Sequence, residues 1–175
     1  RRQSMNAPYN PTITATATST AAPPGLSVRQ QPSASAANTQ RFGVQPKVRL
    51  MTGTGDELRT SGVEVSVALK TPGHTLRGKL TATTDTEGVA TFTDLSLRGI
   101  RGNNVLMFTA SGYDGDTSQT VTLTAGPAVS IAASSPTVLG GQVGSVAAPP
   151  PTVMVTDSSG NPVSGVSVSL ADFLS

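Results

Sequence analysis

The chain has a single histidine, so the search for chemistry begins with His74. It lies in the loop-forming stretch KTPGHTLRG, and a hydrolytic triad would need a serine and an acid to converge on it. The sequence has no G-x-S-x-G motif, and one histidine does not make a typical zinc site. We therefore interpret His74 as an exposed loop residue and predict no catalytic residues, so the chain is not expected to be an enzyme.

Two acidic pairs remain as candidates for a metal or proton-transfer site. Asp114 and Asp116 could supply two oxygens to a calcium ion, which needs about six to eight. No EF-hand pattern follows them, and a turn shaped by Asp and Gly is the favoured interpretation. Asp85 and Glu87 are interpreted as hairpin residues, because the sequence provides no desolvated cleft for a catalytic pair. We expect no metal and no cofactor.

The composition favours strands and turns. Apolar residues make up 36% and aromatic residues 3% of the 175-residue chain, which has no cysteine and therefore no disulfide. No window shows helical periodicity, and no apolar run is long enough to span a membrane. The stretch Gly53-Thr54-Gly55 is interpreted as a turn, because no helix follows that could hold a phosphate. No small-molecule substrate is expected.

Charge is distributed unevenly along the chain. All twelve Lys and Arg residues lie within 1–101 with six acids, a net +6, whereas the remainder has four Asp and no base, a net −4. Such asymmetry can orient a chain against charged partners. The bases are scattered and few aromatic residues accompany them, so nucleic-acid binding is not expected.

Residues 1–25 are predicted to be an extended arm. The stretch NAPYNPTITATATSTAAPPG contains four prolines and little apolar surface, so it should not fold alone. Its segment TITATATST alternates with a period of two and could be added as a strand to an open sheet edge. The predicted partner-binding residues of the arm are Tyr9, Thr12, Ile13, Thr14, Thr16 and Thr18.

Residues 26–126, the first unit, read as seven short strands separated by turn signals, which predicts a sandwich of two antiparallel sheets. Leu95 and Leu97 are out of phase with Ala90 and Phe92, which requires a bulge or bend near Thr93-Asp94. Alternation with a period of two predicts this core: Val48, Leu50, Val63, Val65, Val67, Phe92, Leu106 and Phe108.

Residues 127–175, the second unit, begin a further copy of the first. Val153–Asp157 matches Val48–Thr52, and Gly160-Asn161 matches Gly55-Asp56. After a two-residue difference, SGVSVSL matches SGVEVSV, so the period is about 103 residues. The copy contains three predicted strands, at 128–133, 152–157 and 163–170, and is therefore a partial domain.

These motifs resemble the bacterial immunoglobulin-like repeats of the invasin and intimin type. The family pattern D-x-x-G-N-P-V-x-G-V-x-V corresponds to DSSGNPVSGVSV, and T-D-x-x-G-x-A-x-F corresponds to TDTEGVATF. The resemblance covers 26–126 as a full unit and 127–175 as a partial one, and it departs from the family at 52–58. It implies an immunoglobulin-like antiparallel β-sandwich, an exported and therefore extracytoplasmic protein, and repeats that act as stalks, spacers or docking modules without enzymatic activity.

Three roles remain open at this point. The first is a non-catalytic docking subunit of a larger extracytoplasmic assembly, which binds other protein subunits through its arm and sheet edges. Such an assembly could be a surface fibre, a phage particle, or a membrane complex of respiratory or photosynthetic type with this chain as an extrinsic subunit. The second is a stalk or spacer fragment of a surface adhesin. The third is a carbohydrate-binding accessory module, which the scarcity of aromatic residues disfavours.

Overall fold

The computed structural model describes residues 22–135, 144 and 150–169, and its regular elements there are all β-strands. The predicted all-β class is therefore confirmed. The strands of the first unit are β1 (Gly25–Gln30), β2 (Ser35–Ala37), β3 (Lys47–Met51), β4 (Glu64–Leu69), β5 (Thr75–Arg77), β6 (Thr81–Thr83), β7 (Val89–Thr91), β8 (Ser96–Arg98), β9 (Gly102–Asn104), β10 (Leu106–Ala110), β11 (Tyr113–Thr117) and β12 (Val121–Thr124). Those of the second unit are β13 (Ser130–Ala133) and β14 (Val153–Thr156).

The main sheet of the first unit has seven strands in the order β6-β4-β10-β11-β1-β3-β7. Its neighbours are antiparallel except for β1 and β11, which pair in parallel. The end strands β6 and β7 contact each other, and a bridge between Thr84 and Ala90 joins them. The sheet therefore folds back on itself and encloses one core, as a β-sandwich does.

The predicted core is largely confirmed. Every residue of that prediction is buried except Val63, which packs against the cluster while partly exposed. The Phe92 and Phe108 rings lie 5.6 Å apart at 50°, a tilted contact that aromatic pairs favour. The alternation of apolar residues therefore identified the inner face of β3, β4 and β10 correctly.

The predicted bend between Phe92 and Leu95 is also confirmed. Strand β7 ends at Thr91, the chain bends at Asp94, and β8 begins at Ser96, so both Phe92 and Leu95 are buried. The Gln45 side chain occupies the break, where its Oε1 accepts from the Leu95 N–H (3.0 Å) and its Nε2 donates to the Leu95 carbonyl (3.1 Å). A single glutamine thus replaces the ladder bonds that the bend removes.

The first unit has more strands than the seven predicted, because several are only three residues long. Two smaller sheets accompany the main one, in the orders β2-β12-β9 and β5-β8. The predicted loop KTPGHTLRG contains β5, in which Leu76 pairs with Leu97 and packs against the core. Leu97 is buried and Leu76 partly buried, and this one leucine on each strand joins the pair to the core, although no alternation over three residues is visible in sequence.

The first unit begins slightly earlier than predicted. Gly25, assigned to the arm, opens β1 and pairs with both Met51 and Asp114. The Pro24 carbonyl accepts a hydrogen bond from the Asp114 N–H at 2.8 Å. The predicted partner-binding residues of the arm, from Tyr9 to Thr18, lie outside the described residues.

In the second unit β13 and β14 pair antiparallel, with Ile131 opposite Val155. The first unit pairs Leu26 with Leu50 in the same way. The structural equivalent of Ile131 is therefore Leu26, whereas matching VSIAASSP with LSVRQQPS in sequence predicts Val28, two residues away.

The third predicted strand of the second unit is not formed in its described part. Residues 163–169 contain no strand, although Val163 donates a backbone hydrogen bond to the Val155 carbonyl (2.9 Å). In the first unit the equivalent strand β4 is held by β6 and β10. The described residues of the second unit contain no counterpart of either neighbour, so no ladder forms there.

Candidate functional site: a polar junction between the two units

His74 is more enclosed than predicted. It is half-buried, and its Nε2 lies 2.6 Å from the Ile100 carbonyl oxygen. A carbonyl can only accept, so Nε2 carries the proton in this contact. The ring also packs against Gly99, where a Cβ would collide with it, and lies within ordinary contact distance of a Cβ at Gly102. His74 therefore supports the loop that connects β8 to β9.

Asp114 and Asp116 lie within strand β11, so their interpretation as a turn was wrong. The turn falls earlier, at Ser111-Gly112, where Gly112 has a φ of 82°. Asp116 accepts the Val28 N–H through Oδ2 and the Thr117 N–H through Oδ1, both at 2.8 Å. The bond from Val28 attaches β11 to β1, whereas the bond from Thr117 is local to β11. No group of three or more potential metal ligands occurs among the described residues.

Asp85 and Glu87 form the hairpin turn between β6 and β7, as predicted. The Asp85 N–H donates to the Val89 carbonyl, and the Gly88 N–H donates to the Asp85 carbonyl, both at 3.0 Å. The Asp85 carboxylate accepts from the backbone N–H groups of Glu87 (2.9 Å) and Val89 (3.0 Å). The acidic group is therefore used to close a turn.

The same turn occurs in the second unit at Asp157–Asn161. The Asp157 N–H donates to the Asn161 carbonyl and the Gly160 N–H donates to the Asp157 carbonyl, each at 3.0 Å. Oδ1 of Asp157 accepts from the backbone N–H groups of Ser159 (2.9 Å) and Asn161 (3.0 Å). Gly160 has a φ of 83°, which favours glycine. Local sequence alone accounts for this part of the geometry.

The Asp157 turn differs from the Asp85 turn because it is buried against the first unit. Asp157 is only 4% exposed, and its Oδ2 accepts from Asn38 Nδ2 at 2.9 Å. The same oxygen accepts from the Gly126 N–H at 2.8 Å and from Asn161 Nδ2 at 2.9 Å. Asn38 Nδ2 also donates to Ser159 Oγ at 2.9 Å. Both carboxylate oxygens are thus surrounded by N–H donors.

Asn161 makes the second set of contacts across the junction. Its Nδ2 donates to the Gly99 carbonyl at 2.9 Å, and its Oδ1 accepts from the Arg101 N–H at 2.8 Å. On the first unit, the Gly99 N–H donates to Asn38 Oδ1 at 3.1 Å. Asn38 and Asn161 are both buried, and every donor and acceptor of their amides is used. Buried amides are tolerated only when they are paired in this way.

The first unit presents these partners at one end of its sheets. Asn38 directly follows β2, Gly99 directly follows β8, Arg101 directly precedes β9, and Gly126 lies just beyond β12. Strands β2, β9 and β12 belong to one sheet, which brings their ends together. The Asn38 N–H donates to the Thr124 carbonyl at 3.0 Å, which fixes the loop after β2. We call Asn38, Gly99, Arg101, Gly126, Asp157 and Asn161 the polar junction.

The junction keeps Asp157 ionised. Burial disfavours the charged form and by itself raises the pKa of Asp157. The hydrogen bonds from Gly126, Asn161 and Ser159 favour the charged form and outweigh this effect, so the pKa lies well below its ordinary value. The carboxylate is therefore a permanent acceptor at neutral pH. A cation at this position would have to displace those N–H donors.

The polar stretch between the predicted strands 152–157 and 163–170 indicates a turn, but the sequence does not identify the residues that contact it. Thr52 and Asp56 close the equivalent turn of the first unit, with the Thr52 N–H 2.8 Å from the Asp56 carbonyl. That turn is largely exposed. Since threonine can open the same turn, the turn itself does not require Asp157. Thr52 in the first copy is replaced by Asp157 in the second, and this difference was the one sequence signal of a role beyond closing the turn. No feature of the sequence indicated that Asn38 is its partner.

These features define an all-β protein with a β-sandwich unit and a second strand pair. A buried polar turn next to that strand pair hydrogen-bonds to the sandwich. Among the described residues, none forms a helix long and apolar enough to cross a membrane. No family model matches the chain, and no curated protein is significantly similar to it.

Proposed function

We propose that this chain is a non-catalytic structural protein of immunoglobulin-like repeats, in which the polar junction holds successive units at a fixed angle. The single observation that carries the proposal is the buried carboxylate of Asp157, which accepts hydrogen bonds from both units. The role that fits best is that of a stalk or spacer, because a rigid junction fixes the distance and the angle between the two units that it joins.

We expect the junction to be rigid because its hydrogen bonds are directional. Asn38 donates across the junction through Nδ2, and Asn161 donates across it through Nδ2 and accepts through Oδ1, so a small rotation of one unit against the other breaks several bonds at once. Buried polar groups that lose their partners cost about 1–3 kcal/mol each. An apolar contact, in contrast, tolerates sliding because it has no direction. The second unit therefore has one strongly favoured orientation.

Other acidic groups support the non-catalytic part of the proposal. Asp85, Asp116 and Asp157 each use their carboxylate oxygens to accept backbone N–H groups. Carboxylates committed in this way organise turns and strands and are poorly placed to transfer protons. The resemblance to invasin and intimin repeats agrees with a structural role, and with it we propose an extracytoplasmic location.

The test is whether the two units tumble together. Backbone 15N relaxation of the intact chain should give the same rotational correlation time for β3 and β10 in the first unit as for β13 and β14 in the second. Asp157→Asn should shorten the correlation time of the second unit only. Equal tumbling in both proteins, or independent tumbling in the unaltered protein, would contradict a rigid spacer held by this junction.

A docking subunit is the second candidate, and the exposed apolar side chains of the second unit favour it. Val129 is 64% exposed, and Val153 and Met154 are about half-exposed. The arm residues from Tyr9 to Thr18 remain predicted contacts for a partner. Deleting residues 1–21 should weaken binding to an assembly partner recovered by crosslinking, while the melting temperature of the first unit stays unchanged. If the shortened chain binds equally well, the arm is not a docking element.

A further inference from the structure

The loop between β8 and β9 supplies three hydrogen bonds to the polar junction. The Gly99 carbonyl accepts from Asn161 Nδ2 at 2.9 Å, and the Arg101 N–H donates to Asn161 Oδ1 at 2.8 Å. The Gly99 N–H donates to Asn38 Oδ1 at 3.1 Å, which orients the Asn38 amide. Docking of the second unit therefore depends on the position of residues 99–101.

His74 holds this loop from the side of the first unit. Its Nε2–H donates to the carbonyl of Ile100, the middle residue of the loop, at 2.6 Å. The ring also packs against Gly99, where a Cβ would lie 2.6 Å from the ring carbon Cδ2. Because Gly99 has no side chain, the ring and the loop backbone lie in direct contact. A movement of the ring therefore disturbs the loop that binds Asn161.

The other ring nitrogen of His74 has no hydrogen-bond partner among the described residues. Nδ1 is buried, and Asn104 Oδ1, a buried acceptor on β9, also has no partner, so the two atoms do not bond each other. In the neutral ring Nδ1 carries only a lone pair, since Nε2 carries the proton. Protonation would add an N–H at a buried position without an acceptor, which is unfavourable. The ring satisfies this new donor by turning towards water, which breaks its bond to the Ile100 carbonyl.

The charges around His74 also oppose protonation. Residues 70–77, which carry the ring, and residues 98–104, which contain the loop and β9, include no Asp or Glu. The charged side chains of these two segments are all basic: Lys70, Arg77, Arg98 and Arg101. On the other side of the loop, Asp157 uses both carboxylate oxygens to accept N–H groups of the junction. An imidazolium at this position therefore gains no acidic partner.

We propose that His74 is a positioning residue that makes the polar junction sensitive to pH. The neutral ring holds residues 99–101 in the geometry that docks the second unit, and protonation releases them. This inference rests on the spacer role proposed above and adds its regulation. A histidine ordinarily changes its charge between about pH 5 and 8. The stabilisation is complete where the ring is neutral and is lost as the pH falls through this interval.

The test is an NMR titration of the whole chain through the same interval. His74 is the one histidine of the chain, so its ring resonances report its protonation directly. As the ring protonates, exchange of the Gly99 amide, corrected for intrinsic rates, should become at least about fivefold faster, because protonation frees the loop. The rotational correlation time of β13 and β14 should shorten with the same midpoint.

Two substitutions separate the hydrogen bond of His74 from its packing. His74→Gln supplies an amide that donates to the Ile100 carbonyl and does not titrate, so it should keep the second unit docked and remove the pH step. His74→Phe keeps a ring beside Gly99 but has no donor, and the second unit should be loosely held throughout the interval. Thr75→Ala, at the exposed neighbouring position, is the matched control and should titrate like the unaltered protein.

A Gly99 amide that does not respond while His74 protonates overturns the inference, and so does a pH step that survives His74→Gln. Independent tumbling of the second unit while the ring is still neutral would instead refute the spacer role. In that case the Gly99 amide still decides the role of His74, because its bond to Asn38 lies within the first unit.

Discussion

Asn38 and Asp157 lie 119 residues apart in the chain and share a hydrogen bond of 2.9 Å, from Asn38 Nδ2 to Asp157 Oδ2. Asn38 is fully buried and Asp157 almost so. The pair joins a loop of the first unit to a turn of the second. A charge-assisted bond in a protected environment is stronger than a neutral one, so this contact is the centre of the junction.

Replacing Asp157 by Asn should loosen the second unit. Both oxygens of Asp157 accept N–H groups, so either position of the new NH2 group faces a donor and loses at least one bond. Hydrogen bonds to a charged group contribute about 1.5–3 kcal/mol each, and we expect the docking of the second unit to lose at least about 2 kcal/mol. Amide hydrogen exchange measures this loss. It should become faster in β13 and β14 and stay unchanged in β3.

Asp85→Asn is the matched control for this substitution. Asp85 closes the same type of turn through the same backbone bonds, but it is exposed and does not face the second unit. Exchange in β13 and β14 should remain slow in this variant. If both substitutions accelerate it equally, the effect of Asp157→Asn comes from the turn and not from the junction.

Asn38 and Asp157 should be energetically coupled. Asn38→Ala removes one donor to the carboxylate and also the acceptor of the Gly99 N–H. In a protein that already has Asp157→Ala, Asn38→Ala should reduce the stability of the second unit less than it does in the unaltered protein. A double-mutant cycle on the stability of the second unit should therefore give a coupling of about 0.5–3 kcal/mol. Strictly additive effects would show that the two side chains act separately.

The junction should weaken in acid. Because the pKa of Asp157 is depressed in the folded protein, its stabilising contribution is complete above the ordinary Asp pKa of about 3.9. That contribution is lost progressively as the pH falls below this value toward the folded pKa. Exchange in β13 and β14, corrected for intrinsic rates, should accelerate across this range. The acceleration should be much smaller in Asp157→Asn, which has no carboxylate to protonate there.

Gly126 should not tolerate a side chain. A Cβ at this position would collide with the backbone carbonyl oxygen of Asn38, and the Gly126 N–H is also a donor to Asp157. Gly126→Ala should therefore separate the two units as Asp157→Asn does. Backbone relaxation of β13 and β14 provides the measurement. The opposite result, a second unit that still tumbles with the first, would mean that the loop after β12 can move without cost.

Phe92→Ala should destabilise the first unit strongly. Phe92 is buried and packs on Phe108, and no disulfide supplements this core. Removal of a large buried aromatic side chain costs about 3–5 kcal/mol. Urea unfolding followed by circular dichroism measures the loss. Met107→Ala, on the exposed side of the same strand as Phe108, should cost far less; equal losses would contradict the assigned inner face.

The sequence by itself determined the class of fold and the inner faces of the long strands. A period of two is a property of the extended backbone, so Val48, Leu50, Val65 and Val67 could be assigned to one side without coordinates. Two turns were also predictable, because glycine and a carboxylate at the first position close them with local bonds, whereas Asp114-Gly115-Asp116, with the same residue types, lies in a strand. Asp85–Val89 and Asp157–Asn161 are both of this kind.

Only the tertiary structure decided which turn was a site. Asn38, Gly126 and the pair Gly99 and Arg101 come from three loops, which meet because β2, β8 and β12 end, and β9 begins, at the same edge of the first unit. Nothing local in the sequence distinguishes such residues from ordinary loop polar groups. Burial of a carboxylate depends on donors distant in the chain, and their convergence is a consequence of packing. For that reason the Asp157 turn became a junction while the similar turn at Asp85 remained at the surface.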